Sequence, residues 1–474
     1  MIIIFVHGWS VRHTETYGEF PRWIASQSGA DGQRFKVENV FLGKYISFED
    51  TVTMDDLARA LQHALDRQLG PRIQAGERFA AITHSTGGPV VRAWMDLFWK
   101  SKLAQCPLSH LVMLAPANHG SALAQLGKSR LSRIQTFFQG AEPGQRVLDW
   151  LELGSDGSWA LNTSWLEYDC VAKGVYPFVL TGQSIDRKLY DVLNSYTGES
   201  GSDGVVRVTA ANLNYGLLRL VQEGDRLKVQ RMRRTARTGF GVLPGLSHSG
   251  KAMGILRSVT LANAAEHPAA QWVLRCLQIQ TAAEYDRLAG ELAALTAATQ
   301  EAEEVERVRT LIRTREYSNP RHSMIVFRLV DDRGEGLSDY DLYFTAGPKY
   351  DEKQLPEGFC RDRQRNQRNR GKLTYYLNHD VLSEGLQHPR LGGRMGFYVE
   401  ARPGEDKRKP KLVFYRPIDF QGTARQVQQF LNPNETVMVE IQLQRQVDAT
   451  VFRIEKNLEP GPIDAKPSGE LMVP

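Results

Sequence analysis

FAAITHSTGGPVVRAWM, Phe79 to Met95, is an apolar run that stops on His84-Ser85-Thr86-Gly87 and then takes up helical spacing. A serine between a buried strand and a helix has two readings. In the first it caps the helix, its hydroxyl accepting from a free backbone N–H of the first turn. In the second it is the nucleophile of a strained strand-turn-helix elbow of the G-x-S-x-G kind, which lifts Oγ above a sheet beside N–H groups able to hold an oxyanion. Both give the same secondary structure, so the choice falls to the rest of the chain.

The elements around this stretch follow a strand-helix alternation. Ile2 to Val6 is a β-branched run with the spacing of a fully buried strand, and His7-Gly8-Trp9 follows at once. VENVFLG (37–43) reads as a second strand, MDDLARALQHALDRQLG (54–70) as an amphipathic helix ending on Gly70, and ERFAAIT (77–83) as the strand before Ser85. LSHLVMLAPANHG (108–120) gives a strand and loop, and VYPFVLTG (175–182) another strand. This alternation predicts a mostly parallel sheet covered on both faces. Chemistry in such sheets gathers where strand C-termini meet loops, and Ser85 falls there.

A lone hydroxyl is a poor nucleophile; it needs a base, and the base needs an orienting carboxylate. Two downstream loops supply candidates. TGESGSDGVVRVTAAN (197–212) sets Asp203 among small residues ahead of a strand read over Val205 to Val208, and GVLPGLSHSGKAMG (241–254) sets His248 in a Gly/Ser loop. The order Ser, Asp, His is the one an elbow serine uses. His119 is the rival base and Asp186 and Asp191 are rival acids, although His119 precedes every acid candidate and the two aspartates read as solvated helix-start charges. His84 and His7 read as supports of the turn and the loop.

Residues 1 to about 275 resemble an α/β-hydrolase of the bacterial lipase and phospholipase type. FVHGW, THSTGG, APANHGS, GSDGVV and LSHSG carry the resemblance, five motifs in the family's order. It implies Ser85 as nucleophile, His248 as general base, Asp203 as its orienter, and the backbone N–H groups of Trp9 and Thr86 as the oxyanion hole. Two departures stand out. Thr83 occupies the elbow's first glycine position, which predicts a tight, slightly widened turn, and the sheet opens directly on the oxyanion strand, which predicts a reduced core.

Between Pro116 and Tyr176 the chain makes an excursion, drawn here as a cap over about 121–174. It carries Phe137, Phe138, Trp150, Trp159 and Trp165 with Leu148, Leu151, Leu153 and Leu161. These aromatics either form the core of a small helical subdomain or line an acyl-chain groove, and the two readings are compatible. After about 275 the composition changes. AAEYDRLAGELAALTAATQEAEEVERVRTLI (282–312) reads as a helical linker over 276–316. About seven short alternating segments then predict a β-sandwich over 317–456, with a Pro/Gly-rich disordered tail at 457–474. The turn DDRGEGLSDYD (331–341) offers Asp331, Asp332 and Asp339 either to calcium or, as the commoner case, to solvent in a hairpin loop. A boundary near 275 predicts that the first segment hydrolyses a soluble ester on its own.

Composition bounds partners and compartment. The 474 residues carry 59 basic and 54 acidic side chains, a formal net charge of +5, so the total selects no partner. The basic runs are uneven: KVQRMRRTAR (228–237), CRDRQRNQRNRGK (360–372) and DKRKPK (406–411) suggest peripheral contact with an anionic membrane. No nucleic-acid module or nucleotide loop accompanies them, and no motif asks for a metal or cofactor. Cys106, Cys170, Cys276 and Cys360 lie far apart and read as reduced structural thiols. No secretory leader or transmembrane run is read, so the chain is expected to be cytoplasmic as synthesised, with any export by a signal-independent route. The expectation is a serine hydrolase acting on lipid esters, of the kind that serves as an antibacterial effector with immunity or secretion partners. The alternatives are a small-ester esterase, a peptidase, and an inactive hydrolase fold used as a binding module.

Overall fold

A computed structural model of the chain describes residues 1–6, 17–40, 50–127, 144–185, 200–302, 306–309, 314–317, 320–403 and 413–448. Its first strands are β1 (Ile2–Val6), β2 (Lys36–Val40), β3 (Phe79–His84), β4 (Leu108–Leu114), β5 (Tyr176–Thr181), β6 (Tyr215–Glu223), β7 (Arg226–Arg234) and β8 (Gly239–Val242). Six of them make one sheet in the order β2-β1-β3-β4-β5-β8. Every pairing in it is parallel. Alternate side chains of β1 enter opposite cores, Ile2, Ile4 and Val6 on one face and Ile3 and Phe5 on the other, as the period of two requires.

Helices cover both faces: α1 (Phe20–Ser26), α2 (Met54–Gln74), α3 (Gly87–Trp99), α4 (Ala122–Gly127), α5 (Gln145–Leu151), α6 (Asp156–Trp165), α7 (Val208–Ala211), α8 (Pro268–Leu277) and α9 (Ala282–Glu301). The start of α2 is a capping box in which Thr53 Oγ1 accepts from the Asp56 N–H and the Asp56 carboxylate from the Thr53 N–H. It runs past the expected stop at Gly70 to Gln74. Residues read as a linker turn out to be part of the fold: Tyr285, Leu288, Ala289 and Leu292 of α9 pack into the core beneath β8. Thr296 Oγ1 accepts from the Val242 N–H at 3.0 Å.

The remaining strands are β9 (Glu306–Arg309), β10 (Thr314–Tyr317), β11 (His322–Asp331), β12 (Tyr340–Ala346), β13 (Cys360–Arg365), β14 (Lys372–Asn378), β15 (Met395–Ala401), β16 (Val413–Phe414), β17 (Ile418–Gly422), β18 (Thr436–Leu443) and β19 (Gln446–Val447), with helices α10 (His379–Gln387) and α11 (Ala424–Phe430). A six-stranded sheet, β13-β14-β11-β18-β6-β7, faces a three-stranded sheet, β12-β15-β17, across a core that includes Phe327, Phe344, Tyr375 and Phe397. This is the β-sandwich, and its larger sheet crosses the boundary drawn at 275. β6 pairs in parallel with β18, Tyr215 opposite Thr436, and β7 closes the edge. The reason lies in β6 itself, which feeds two cores. Tyr215 enters the hydrolase core while Leu218 and Leu220 enter the sandwich. Met324, Val326, Tyr376 and Met438 on the outer face of the same sheet complete the hydrolase core.

Candidate active site

At the end of β3 the backbone of Ser85 turns to φ +53°, a left-handed conformation that costs a non-glycine residue about 1–2 kcal/mol. Backbone bonds hold it there, among them one from the Ala117 N–H to the Ser85 carbonyl at 3.4 Å. The Ser85 N–H donates to the Leu114 carbonyl at 3.0 Å, and the Ser85 carbonyl accepts from the Gly88 N–H at 3.3 Å. Such strain at a strand-to-helix turn fits the elbow reading rather than a plain cap. Thr86, not Ser85, is the residue at the head of α3, and its side chain makes no capping bond. The close approach the elbow needs is made at Gly88, where a Cβ would stand 2.9 Å from Pro116 Cβ. Thr83, at the elbow's first glycine position, is a buried strand residue whose hydroxyl has no hydrogen-bond partner among the described residues. Trp9, and with it half of the expected oxyanion hole, lies outside the described residues, as do His7, Asp186 and Asp191.

Asp203 and His248, forty-five positions apart in sequence, meet directly. His248 donates from Nδ1 to Asp203 Oδ2 at 2.9 Å, and its backbone N–H donates to the Asp203 carbonyl at 2.9 Å. The other carboxylate oxygen, Oδ1, accepts from the N–H groups of Val205 (3.0 Å) and Val206 (2.8 Å). A fully buried carboxylate therefore has its lone pairs occupied by donors, the condition for burying a charge without a large penalty. These two bonds also explain why Val205–Val208 is not the strand the pattern suggested. The side chain curls the backbone into a tight turn, with Gly204 at φ +97°, that leads into the short helix α7. The Nδ1 bond fixes the tautomer and leaves Nε2 as the basic nitrogen. His84 Nε2 donates to the His248 carbonyl at 3.0 Å, so it supports the histidine loop.

His119 is placed differently. It is buried against Tyr215, ring centroids 4.7 Å apart, with Nδ1 3.2 Å from Asn162 Nδ2. Burial, helped by Arg92, pushes its pKa down to about 3. Arg92 is the centre of a polar cluster that the sequence did not reveal. Its buried guanidinium donates to Asn118 Oδ1 (3.1 Å) and Asn162 Oδ1 (2.8 Å) and lies 4.5 Å over the Trp165 ring. Asn118 and Asn162 flank the site from the loop after β4 and from α6, so the cluster ties elbow helix, loop and cap together.

An apolar pocket opens beside Ser85 and Thr86, lined by Ala117, Leu123, Leu148, Leu151, Val205 and Val206. Its apolar walls are aliphatic. Trp150 packs against Gly157, Trp159 reaches the second sheet where Arg328 stands 5.8 Å from its ring, and Trp165 stacks on Tyr168 at 5.0 Å. These three tryptophans are buried in the hydrolase core, while Phe137 and Phe138 lie outside the described residues. Ser121 closes the pocket by donating from Oγ to the Val205 carbonyl at 2.5 Å.

Much of the basic charge is committed to carboxylates. Lys228 pairs with Glu223 (2.6 Å), Arg231 and Arg233 with Glu167, Arg234 with Glu435, Arg368 with Asp149 (2.7 Å) and Lys372 with Asp156. Lys407, Arg408, Lys409 and Lys411 lie outside the described residues. The acids of the 331–341 turn are also engaged. Asp331 Oδ1 accepts from the N–H groups of Arg333 and Glu335, Asp332 from the Arg445 N–H, and Asp339 pairs with Arg402. No described helix is long and apolar enough to cross a membrane.

A serine raised by β3 at the C-terminal edge of a parallel sheet, with the acid and histidine loops following in that order, defines an α/β-hydrolase. No family model matches the chain, and no curated relative does. Among solved structures it is similar to the phospholipase PlaB from Legionella pneumophila, at 60% identity over 99% of each chain with a TM-score of 0.91. It is equally similar to that phospholipase in complex with thio-NAD, at 58% identity over 99% of each chain with a TM-score of 0.90. The chain belongs to the PlaB phospholipase family and is an ester-hydrolysing enzyme.

Proposed function

We propose that the protein cleaves the acyl ester bonds of phospholipids through a serine acyl-enzyme. The observation that carries the reading is the buried Asp203–His248 pair, 2.9 Å between Oδ2 and Nδ1, on the sheet edge that also presents the strained Ser85. His248 Nε2 takes the proton from Ser85 Oγ as the oxygen adds to the ester carbonyl. The tetrahedral oxyanion is received by the Thr86 N–H at the positive end of α3, with Trp9 contributing the second donor. Collapse expels the alcohol, which takes the proton from His248. Water, activated by the same nitrogen, then releases the fatty acid and restores Ser85. The aliphatic side chains of Leu148, Leu151 and Val206 give the space beside Ser85 the apolar character that an ester's acyl side asks for.

Docking to an anionic lipid surface rests on fewer cations than the basic runs offer, because Lys228, Arg231, Arg233, Arg234, Arg368 and Lys372 already face carboxylates. The thio-NAD complex of a relative makes a nicotinamide dinucleotide a ligand to be tried on this chain. The test of the catalytic reading is labelling by a fluorophosphonate followed by peptide mapping. The adduct is expected on Ser85 and lost in Ser85→Ala; labelling that survives this substitution contradicts the assignment.

A further inference from the structure

The acid turn does not stand alone. It is gripped from outside the hydrolase sheet by the hairpin β13–β14, which the sequence assigns to the accessory domain. Tyr376 on β14 donates its hydroxyl to the carbonyls of Ser200 (3.0 Å) and Gly201 (3.1 Å), the residues that lead into Asp203. Asp362 on β13 pairs with Arg207, the residue that leads out of the turn. Arg207 is almost fully buried, and its guanidinium lies 4.1 Å over the Tyr376 ring, on which His322 also stacks at 4.4 Å. Gly201 adopts φ +74° with His322 and Tyr376 so close that a Cβ would overlap both. The two ends of the segment that carries Asp203 are therefore anchored to one hairpin. The loop of the same hairpin grips the cap. The Gln367 N–H donates to Glu152 Oε1 at 2.5 Å, Arg368 pairs with Asp149 at 2.7 Å, and these flank Leu151 of the pocket wall.

We propose that the β13–β14 hairpin is a positioning element of the active site, with Tyr376 and the Arg207–Asp362 pair holding Asp203 in register with His248. The chemistry explains why such a hold is needed. Asp203 acts only through a 2.9 Å bond to Nδ1, and the buried turn that carries it is built of glycine, serine and valine, whose side chains carry no charge that could form an ion pair to hold it. A displacement of about 1 Å at a catalytic group can cost on the order of 100-fold in rate. A buried arginine–carboxylate pair and a tyrosine hydroxyl on two carbonyls resist that displacement through directional bonds that apolar packing does not provide. This proposal rests on Asp203 being the acid of the proposed triad.

The test uses the full-length protein and compares Tyr376→Phe and Asp362→Asn, alone and combined with Asp203→Asn. Tyr376→Phe keeps the ring stacked between its neighbours and removes only the hydroxyl; Asp362→Asn keeps shape and removes charge. Each single variant is expected to lower kcat and the rate of fluorophosphonate acylation by about tenfold, within the range carried by coupling through packed networks, with KM little changed. In the Asp203→Asn background neither is expected to lower the acylation rate further, because the group they position is already disabled. A purely structural role gives a different result, the same proportional loss in both backgrounds, and that result overturns the proposal. So does an unchanged acylation rate in both single variants while Asp203→Asn loses activity. If Asp203→Asn itself keeps its rate, the acid assignment falls and the proposal falls with it.

Discussion

His248 and Asp203 are joined twice, by Nδ1 to Oδ2 and by the backbone N–H of the histidine to the carbonyl of the aspartate, both at 2.9 Å. The side-chain bond sets the tautomer and the backbone bond sets the distance between the two loops, so neither residue can move without the other. Asp203→Asn presents an amide whose N–H₂ can face Nδ1 and favours the wrong tautomer. Loss of kcat on the order of 10⁴ is expected, with the melting curve close to wild type. Steady-state hydrolysis of a soluble ester measures it, and a loss below about tenfold contradicts the orienting role.

The left-handed backbone of Ser85 predicts a difference between two inactive variants. Ser85→Ala keeps the strain at φ +53°, whereas Ser85→Gly releases it and adds chain entropy to the unfolded state. Strain release is expected to win by a net of about 1 kcal/mol. Urea denaturation of the two variants decides it; a midpoint for Ser85→Gly below that of Ser85→Ala, the result expected from chain entropy alone, means that the turn stores no strain.

Buried neutral histidines give the fold an acid-sensitive stability. Burial lowers the pKa of His119 and His322 to about 3 and that of His110 to about 4. The unfolded chain binds protons near pH 6.5, so between that pH and the folded values it holds more protons than the native state. Stability therefore falls as pH drops from about 6.5 toward 4 and is flat in these groups above it. Tm measured across this range should decline, and His322→Gln should flatten part of the slope. An identical slope in that variant shows that His322 does not contribute to the acid sensitivity.

A chain cut after residue 275 is expected to be insoluble or inactive, contrary to the independence that the change in composition suggests. The cut removes β18 and leaves the long edge of β6 unpaired, removes α9 from beneath β8, and removes Tyr376 from the acid turn. Soluble yield and fluorophosphonate labelling of the fragment test this; a soluble fragment labelled at the wild-type rate contradicts it.

What the sequence made legible was local. The turn at Ser85 and the loops of Asp203 and His248 each stand out within a few residues, and strands β1, β3, β4 and β5 announce themselves as unbroken apolar runs between turn signals. What stayed hidden depends on distant pairing. The partner of β6 lies more than two hundred positions away in β18, so nothing near Tyr215 marks it as a strand of the second sheet. Lys372 and Arg368 look like members of a solvated basic run, yet one is buried on Asp156 and the other paired with Asp149. The cap tryptophans show the same limit: an aromatic-rich segment identifies apolar packing, and only the fold shows that Trp150, Trp159 and Trp165 pack into the hydrolase core while Leu148 and Leu151 line the pocket beside Ser85.

Ser85 is proposed to cleave phospholipid esters. The most direct test is fatty-acid and lysophospholipid release from vesicles of a defined diacyl phospholipid, wild type against Ser85→Ala at equal folded concentration. Stoichiometric release of both products by wild type is expected, with a loss on the order of 10⁴ or more in the variant. Release by Ser85→Ala at a rate near wild type, or no release by a wild-type protein that the fluorophosphonate labels on Ser85, contradicts this role.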